Sequence, residues 1–534
     1  MRTFLVVVLY FFLTTSFATD PYPRNEALDV LHYIFRLEFN DTTDRIAGVA
    51  TVTIRFKKST SAFQLDLVGK QINGRGMVVD KVLLDDVIIR HSHLGNRLQL
   101  FLSKPAEANQ EKKFVIHYAG IPSDGLRITK NKFGDRTFFA DNWPDRGRHW
   151  LPCIDHPSDK ARVDFMVVAP QKYQVVASGK QIEETTLPRG LKLTHWEERV
   201  PIPVKVMAVG VGRFAVQQSA DIDNIPQSTW VFPENRDEGF YDFEVGRDVF
   251  LFFHQRIGPY PYEKLAHVQS TTRWGALENA SNIFYMEGAV TGSREHEALI
   301  AHETAHQWFG NSVTENDWHH VWLSEGFATY FAALYMEQAH GPDRLADIMK
   351  ENRIEVISYL REKRTPIIDT TISDISAVLS TNTYQKAGWV LHMLRREVGE
   401  DLFWKGIQLY YTTFRDSNAL TNDFRKVMEQ VSGRDLAPFF HQWLYKVGHP
   451  QLKVDWSYDG ATKQVRLAVR QLQKGPFLFP LDILLHHPDG RNEAKTVAIT
   501  SGDQVLLIPA DQKPESIVLD PGCRLLFEAN LTAR

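Results

Sequence analysis

The chain has 534 residues, too many for one hydrophobic core, and that length points to three or four domains. Hydrophobic residues at 43% and charged residues at 24% are in globular proportion, which excludes a disordered or fibrous chain. A formal net charge of −4 without a basic cluster argues against nucleic acid as a partner, and two cysteines cannot form a disulfide framework.

Met1 to Ala18 reads as a signal peptide. Arg2 supplies a positive start, Phe4 to Leu13 is an apolar run, and Ser16-Phe17-Ala18 offers small residues before a cut. The alternative is a membrane anchor, but the run falls short of the roughly 20 residues a span needs, and no later segment is apolar for long enough. The expectation is an exported chain, periplasmic or secreted, that starts near Thr19 and has no transmembrane segment in its mature form. Cys153 and Cys523 read as buried thiols, a single bridge between them being the other option.

From about residue 27 to 216 the pattern has period two. Val52, Ile54 and Phe56 alternate with Thr51, Thr53 and Arg55, as a half-buried strand requires, and Phe114 to Tyr118 and Lys205 to Phe214 read the same way. Trp143 to Pro157 crowds aromatics, proline and charge into one connection. Most of it reads as a rigid packed loop, with the alternative that its tip reaches a cleft. Near Asp221 the pattern changes, and Glu238 to Ile257 has the apolar face of a helix. A short β-rich piece, His267 to Tyr285, precedes a helix expected to start at Ser293 as N-cap and to stop at Gly310. Helical spacing dominates from Trp322 to Gly448, with one helix marked by Leu345, Ile348 and Met349, another over Ala387 to Val398 and the last over Asp435 to Val447. Beyond Gly448 the period returns to two, with turns at Asp459-Gly460 and Pro488-Asp489-Gly490, as in a small β-sandwich.

Within this frame, His302-Glu303-Thr304-Ala305-His306 is an HExxH pattern. On a helix His302 and His306 share one face, where two imidazoles can hold one zinc ion, and Glu303 lies beside them to reach a water. Eighteen residues separate His306 from Glu325, enough for the chain to turn and bring a third, carboxylate ligand back on a second helix. Three protein ligands leave a fourth zinc position open, the arrangement of a catalytic site. The competing explanation, a core helix that happens to carry two histidines, leaves Glu303 buried without a partner. Helices after a small β region, carrying HExxH, match a thermolysin-like α+β catalytic domain.

Two further segments bear on chemistry. Glu278, in Gly275-Ala276-Leu277-Glu278-Asn279, is a carboxylate that could bind a free α-amine if it overhangs the metal, though read alone it is an ordinary loop charge. Tyr384, in Thr383-Tyr384-Gln385-Lys386-Ala387-Gly388, could donate to an oxyanion, though read alone it is a surface tyrosine.

Together these residues resemble the aminopeptidase N and leukotriene-hydrolase group of gluzincin exopeptidases. His302 to His306 with Trp322-Leu323-Ser324-Glu325-Gly326 is similar to the group's zinc motif, and Gly275 to Asn279 to its G-x-M-E-N exopeptidase motif, with Leu277 for Met. Tyr384 to Gly388 resembles its tyrosine segment, and Leu151 to Pro157 its F-P-C-x-D-x-P stretch. The resemblance covers almost the whole mature chain. It implies a multidomain α+β fold: an N-terminal β saddle domain over 19–216, the catalytic domain over 217–447 and a C-terminal β-sandwich over 448–534. It implies a zinc-dependent aminopeptidase acting on peptides with a free N-terminus, with one Zn2+ per chain held by His302, His306 and Glu325. Glu303 would be general base and then proton donor, Tyr384 the oxyanion stabiliser, Glu278 the amine anchor, and Gly275 and Ala276 the aligners of the peptide backbone.

The sequence departs from that group in three places. Trp143 stands where a Gln or Glu commonly helps bind the amine, and so counts among the substrate-binding candidates. Ala332 stands where a glutamate is common seven residues after the third ligand. No large helical domain follows the β-sandwich, so the cleft is expected to be more open or covered by a partner subunit of a homo-oligomer. A weakened amine anchor would allow endopeptidase action, and a peptide-binding protein without turnover is the alternative from another class.

Overall fold

The computed structural model describes residues 20–534; the expected signal peptide lies outside the described residues. The N-terminal β-domain is built on an eight-stranded sheet in which Leu28–Glu38 runs parallel to Lys160–Pro170 and antiparallel to Ile46–Phe56. Val52, Ile54 and Phe56 are buried while Arg55 is exposed, the alternation that a sheet with one wet face demands. A four-stranded sheet that includes Arg136–Ala140 and Val209–Gly212 and a three-stranded sheet around Arg97–Ala106 complete the domain. Lys205 to Phe214 differs from the half-buried strand expected of it. Val204–Val206 is a 3-10 turn, only Val209–Gly212 pairs as strand, and residues 204–212 are buried on both faces because the unit that follows in the chain, around Ala280 and Phe284, covers them.

The connection from Trp143 to Pro157 is packed, with Trp150, Leu151 and Cys153 fully buried. The Trp150 indole N–H donates to Asn142 Oδ1 at 2.9 Å, and Asp155 Oδ2 accepts the Arg148 main-chain N–H at 2.9 Å. Cys153 and Cys523 are both buried free thiols.

The next unit combines a five-stranded sheet with helices. Its order is Ala215–Ile222, Ile225–Val231, Leu265–Gln269, Asn282–Tyr285 and, at the edge, Ala276–Leu277. The helix expected over Glu238 to Ile257 is two, α1 (Arg236–Phe243) and α2 (Gly246–Arg256), joined where Gly246 approaches His267 so closely that a Cβ would lie 2.4 Å from its Nε2. Then come α3 (Glu297–His306), α4 (Trp322–His340), α5 (Pro342–Glu362), α6 (Ala387–Val398), α7 (Glu400–Phe414), α8 (Thr421–Ser432) and the short α9 (Ala437–Phe440). A π-helical turn, Asn382–Lys386, leads into α6, and another, His441–Tyr445, follows α9. α4 is apolar nearly all round and correspondingly buried, so it forms the spine of the helical layer.

The helix with the two histidines starts later than expected. Ser293 does not cap it, because Asp242 on α1 accepts the N–H groups of Thr291 (2.6 Å), Gly292 (2.8 Å) and Arg294 (2.8 Å). Arg294 takes a left-handed φ of 60°, and the helix begins at Glu297.

Gln451–Asp459, Gln464–Gln471, Asp503–Pro509 and Glu528–Ala533 form one sheet of the C-terminal unit; Phe479–His486, Asn492–Ile499 and Ser516–Leu519 form the other. Leu467, Val469, Leu481, Ile483 and Leu485 are buried. Ion pairs Arg353–Asp520, Arg361–Glu528 and Arg396–Asp482 fasten this unit to α5 and α6. The β-rich, mixed and β order of the three units is the fold class expected from the sequence. Among the described residues no helix is long and apolar enough to cross a membrane.

Candidate active site

α3 packs on α4, and this contact brings Glu325 from the first turn of α4 to the two histidines of α3. His302 Nε2 and His306 Nε2 lie 3.1 Å apart, and Glu325 Oε2 lies 3.5 Å and 3.3 Å from them. Donors about 2.0–2.1 Å from a tetrahedral ion lie roughly 3.3 Å from one another, so this donor set fits zinc. His306 Nδ1 lies 3.2 Å from the Phe309 carbonyl oxygen and 3.1 Å from Ser324 Oγ. Donation from Nδ1–H to that carbonyl leaves the Nε2 lone pair directed at the metal position.

Gly310 makes this arrangement possible. Its φ is +113°, and a Cβ there would lie 2.2 Å from Ser324 Oγ and 3.1 Å from His306 Nδ1.

The three donors sit in a cleft of about 590 Å³ whose walls include Glu303, Glu278, Gly275, Ala276, Tyr384 and Trp143. Burial works against charge at Glu325, but the imidazoles of His306 and His302 hold its carboxyl well below the usual range. Burial pushes the Glu303 carboxyl well up, against the pull of His306 and with the help of Glu278 and Glu325. Burial, and then the carboxylates of Glu325, Glu278 and Glu303, hold the Tyr384 phenol well above its ordinary range, so it stays a donor. Its ring stacks on His302 with centroids 6.0 Å apart.

Glu278 is 6% exposed, and its Oε1 has no hydrogen-bond partner among the described residues. Ala276–Leu277 is the edge of its sheet, paired on one side only, and the space where a Gly275 Cβ would be is open. Free main-chain groups at an edge can pair with an extended peptide. Two of the three departures noted in the sequence, Trp143 and Ala332, lie on the cleft wall.

Two residues that periodicity could not flag hold the Glu278 segment. Gln307 Nε2 donates to the carbonyl oxygens of Glu278 (2.9 Å) and Asn279 (3.3 Å), while its Oε1 accepts the Ser281 N–H (2.8 Å). Asn311 Nδ2 donates to the Glu278 carbonyl oxygen at 2.6 Å. Their only trace in the sequence is two amides just beyond HExxH.

Residues 30–204 match the family model described as Peptidase M1 N-terminal domain, and residues 241–443 match the Peptidase family M1 domain. The chain belongs to peptidase family M1. Glutamyl aminopeptidase of Rattus norvegicus is 26% identical over 464 residues, covering 82% of this M1 chain and 49% of the relative. Aminopeptidase A of Gloydius brevicauda is 28% identical over 370 residues, 66% of this chain and 39% of the relative. The M1 chain thus spans about half, or less, of the length of these curated relatives. An M1 zinc metallopeptidase from Deinococcus radiodurans has the same fold, with a TM-score of 0.68 at 24% identity, over 79% of this chain and 95% of that one. The His-His-Glu cluster and the family assignment agree on zinc as the metal.

Proposed function

We propose that this M1 chain is a zinc-dependent aminopeptidase that removes N-terminal residues from peptides. The observation that carries this reading is the buried, unpartnered Glu278 carboxylate in the same cleft as His302, His306 and Glu325. A carboxylate with a free oxygen in a closed corner binds an ammonium well, and that bond limits cleavage to the first residue.

His302, His306 and Glu325 would hold the zinc, which when bound supplies a Lewis acid and brings the pKa of water toward about 7. Glu278 takes the substrate ammonium, and the main chain at Gly275 and Ala276 pairs with the peptide. Glu303 accepts the proton of the attacking water and hands it to the departing amine. Tyr384 O–H donates to the carbonyl oxygen as negative charge builds there. Trp143 forms the wall beside the first residue, in the place of a polar amine ligand.

The reading extends to where the protein acts. Met1 to Ala18 is proposed to direct export and to be removed near Thr19, which N-terminal sequencing of the cell-derived protein checks. Activity is tested with a panel of aminoacyl-p-nitroanilides, with and without a chelator, beside an N-acetylated peptide. Chelator-sensitive release from free-amine substrates alone is expected. Cleavage of the blocked peptide would replace this reading with an endopeptidase.

A further inference from the structure

Trp143 lines the cleft with an indole that no hydrogen bond fixes, since its buried Nε1–H has no acceptor among the described residues. Packing must hold such a ring in one rotamer. Trp318 meets it edge to face, with centroids 5.5 Å apart and planes at 73°. The Lys205 ammonium lies 6.0 Å from the Trp143 centroid and 5.3 Å from that of Trp318, so one cation is shared by two indoles. Trp318 also has an unpartnered indole N–H and is held through its main chain, whose N–H donates to Asp20 Oδ2 at 3.0 Å.

Lys205 is 3% exposed and bonds to Glu315 on the strand Val313–Glu315, which follows α3. A buried ion pair adds little net stability compared with apolar residues of the same volume. What it adds here is a point charge fixed beside two rings that touch each other.

We propose that Lys205, pinned by Glu315, is a positioning residue that holds the Trp143 indole against Trp318 as the wall for the first residue's side chain. The substrates it favours have large uncharged first residues, which lie along the indole, over alanine, which does not reach it. The substrate part of this inference rests on the aminopeptidase reading; the positioning of Trp143 does not.

The test uses the full-length zinc-loaded enzyme carrying Lys205→Met with Glu315→Gln, which removes both charges together. It is made with and without Trp143→Phe and assayed on leucine, phenylalanine and alanine p-nitroanilides. KM for leucine and phenylalanine should rise about fivefold, while KM for alanine and every kcat stay within about twofold. In the Trp143→Phe background the same pair of changes should add nothing further. Trp318→Leu, which removes the second ring and leaves the ion pair, should give the same KM pattern and serves if the double variant does not fold. In 5-fluorotryptophan-labelled protein, the 19F resonance lost in Trp143→Phe should shift and broaden in the double variant. An unmoved Trp143 resonance, an equal rise for alanine, or effects that multiply with Trp143→Phe would overturn the proposal. Absence of wild-type release from every anilide would refute the aminopeptidase reading instead, and the 19F resonance would then decide the role of Lys205.

Discussion

The Gln307 side-chain amide donates to the Glu278 main-chain carbonyl oxygen at 2.9 Å, one residue after the end of the helix that carries His302 and His306. The loop with the proposed amine anchor is therefore bolted to the metal-binding helix. Gln307→Leu leaves the Ser281 N–H without its partner and frees the loop. A stability loss of about 1–3 kcal/mol is expected, together with a higher KM for free-amine substrates. Thermal melts and steady-state kinetics on one sample check both.

In the proposed reading Glu303 is the carboxylate that moves protons in the cleft. Glu303→Gln keeps its shape and removes the base, so kcat should fall about 10²–10⁴-fold while zinc content by elemental analysis is unchanged. Loss of zinc along with activity would show that the residue serves the metal site instead.

Tyr384 acts as a donor in this scheme, and its phenol stays protonated across the working pH range. Tyr384→Phe should lower kcat about 10²–10³-fold with a smaller effect on KM. An unchanged kcat would remove it from the chemistry.

Chelation should abolish activity, and stoichiometric zinc should restore it. Glu325 and His306 are 3% and 1% exposed, so the metal also compensates buried polar groups. Zinc at a thousand times its Kd would stabilise the fold by about 4 kcal/mol, visible as a higher Tm than that of the chelated protein.

A pH effect is expected away from the cleft. Glu198 is fully buried, its Oε1 accepts the Val200 N–H at 3.0 Å and its Oε2 has no partner among the described residues. Burial pushes its pKa up to about 7, against the pull of that N–H, Lys264 and Ser281. The folded state therefore holds this proton more tightly than the unfolded chain does. Its stabilising contribution is full below the unfolded carboxylate pKa and is lost as pH rises toward 7. Glu198→Gln should flatten the fall in Tm between pH 5 and pH 8, whereas parallel curves for variant and wild type would exclude Glu198 as the cause.

The legible part of the site lay in short spacings. His302 and His306 are one helical turn apart, and the gap to Glu325 matched the distance the chain needs to fold back, so local geometry decided both. Tyr384 and Glu278 stood out by motif. Gln307, Lys205 and Asp20 did not, because their partners lie 29, 110 and 298 residues away and no periodicity marks them. Ser293 misled for the same reason. Its neighbours' N–H groups are taken by Asp242, about 50 residues earlier, and that long-range bond overrides a local capping signal.

Gly310 carries a consequence for how this gene can drift. Every missense change reachable from a glycine codon in one base adds at least a β-carbon, and at this position the β-carbon collides with Ser324 and crowds His306. The codon thus has no harmless missense neighbours. A mutation there would be felt first as weakened grip on the metal through a displaced imidazole, in a protein whose other domains still fold.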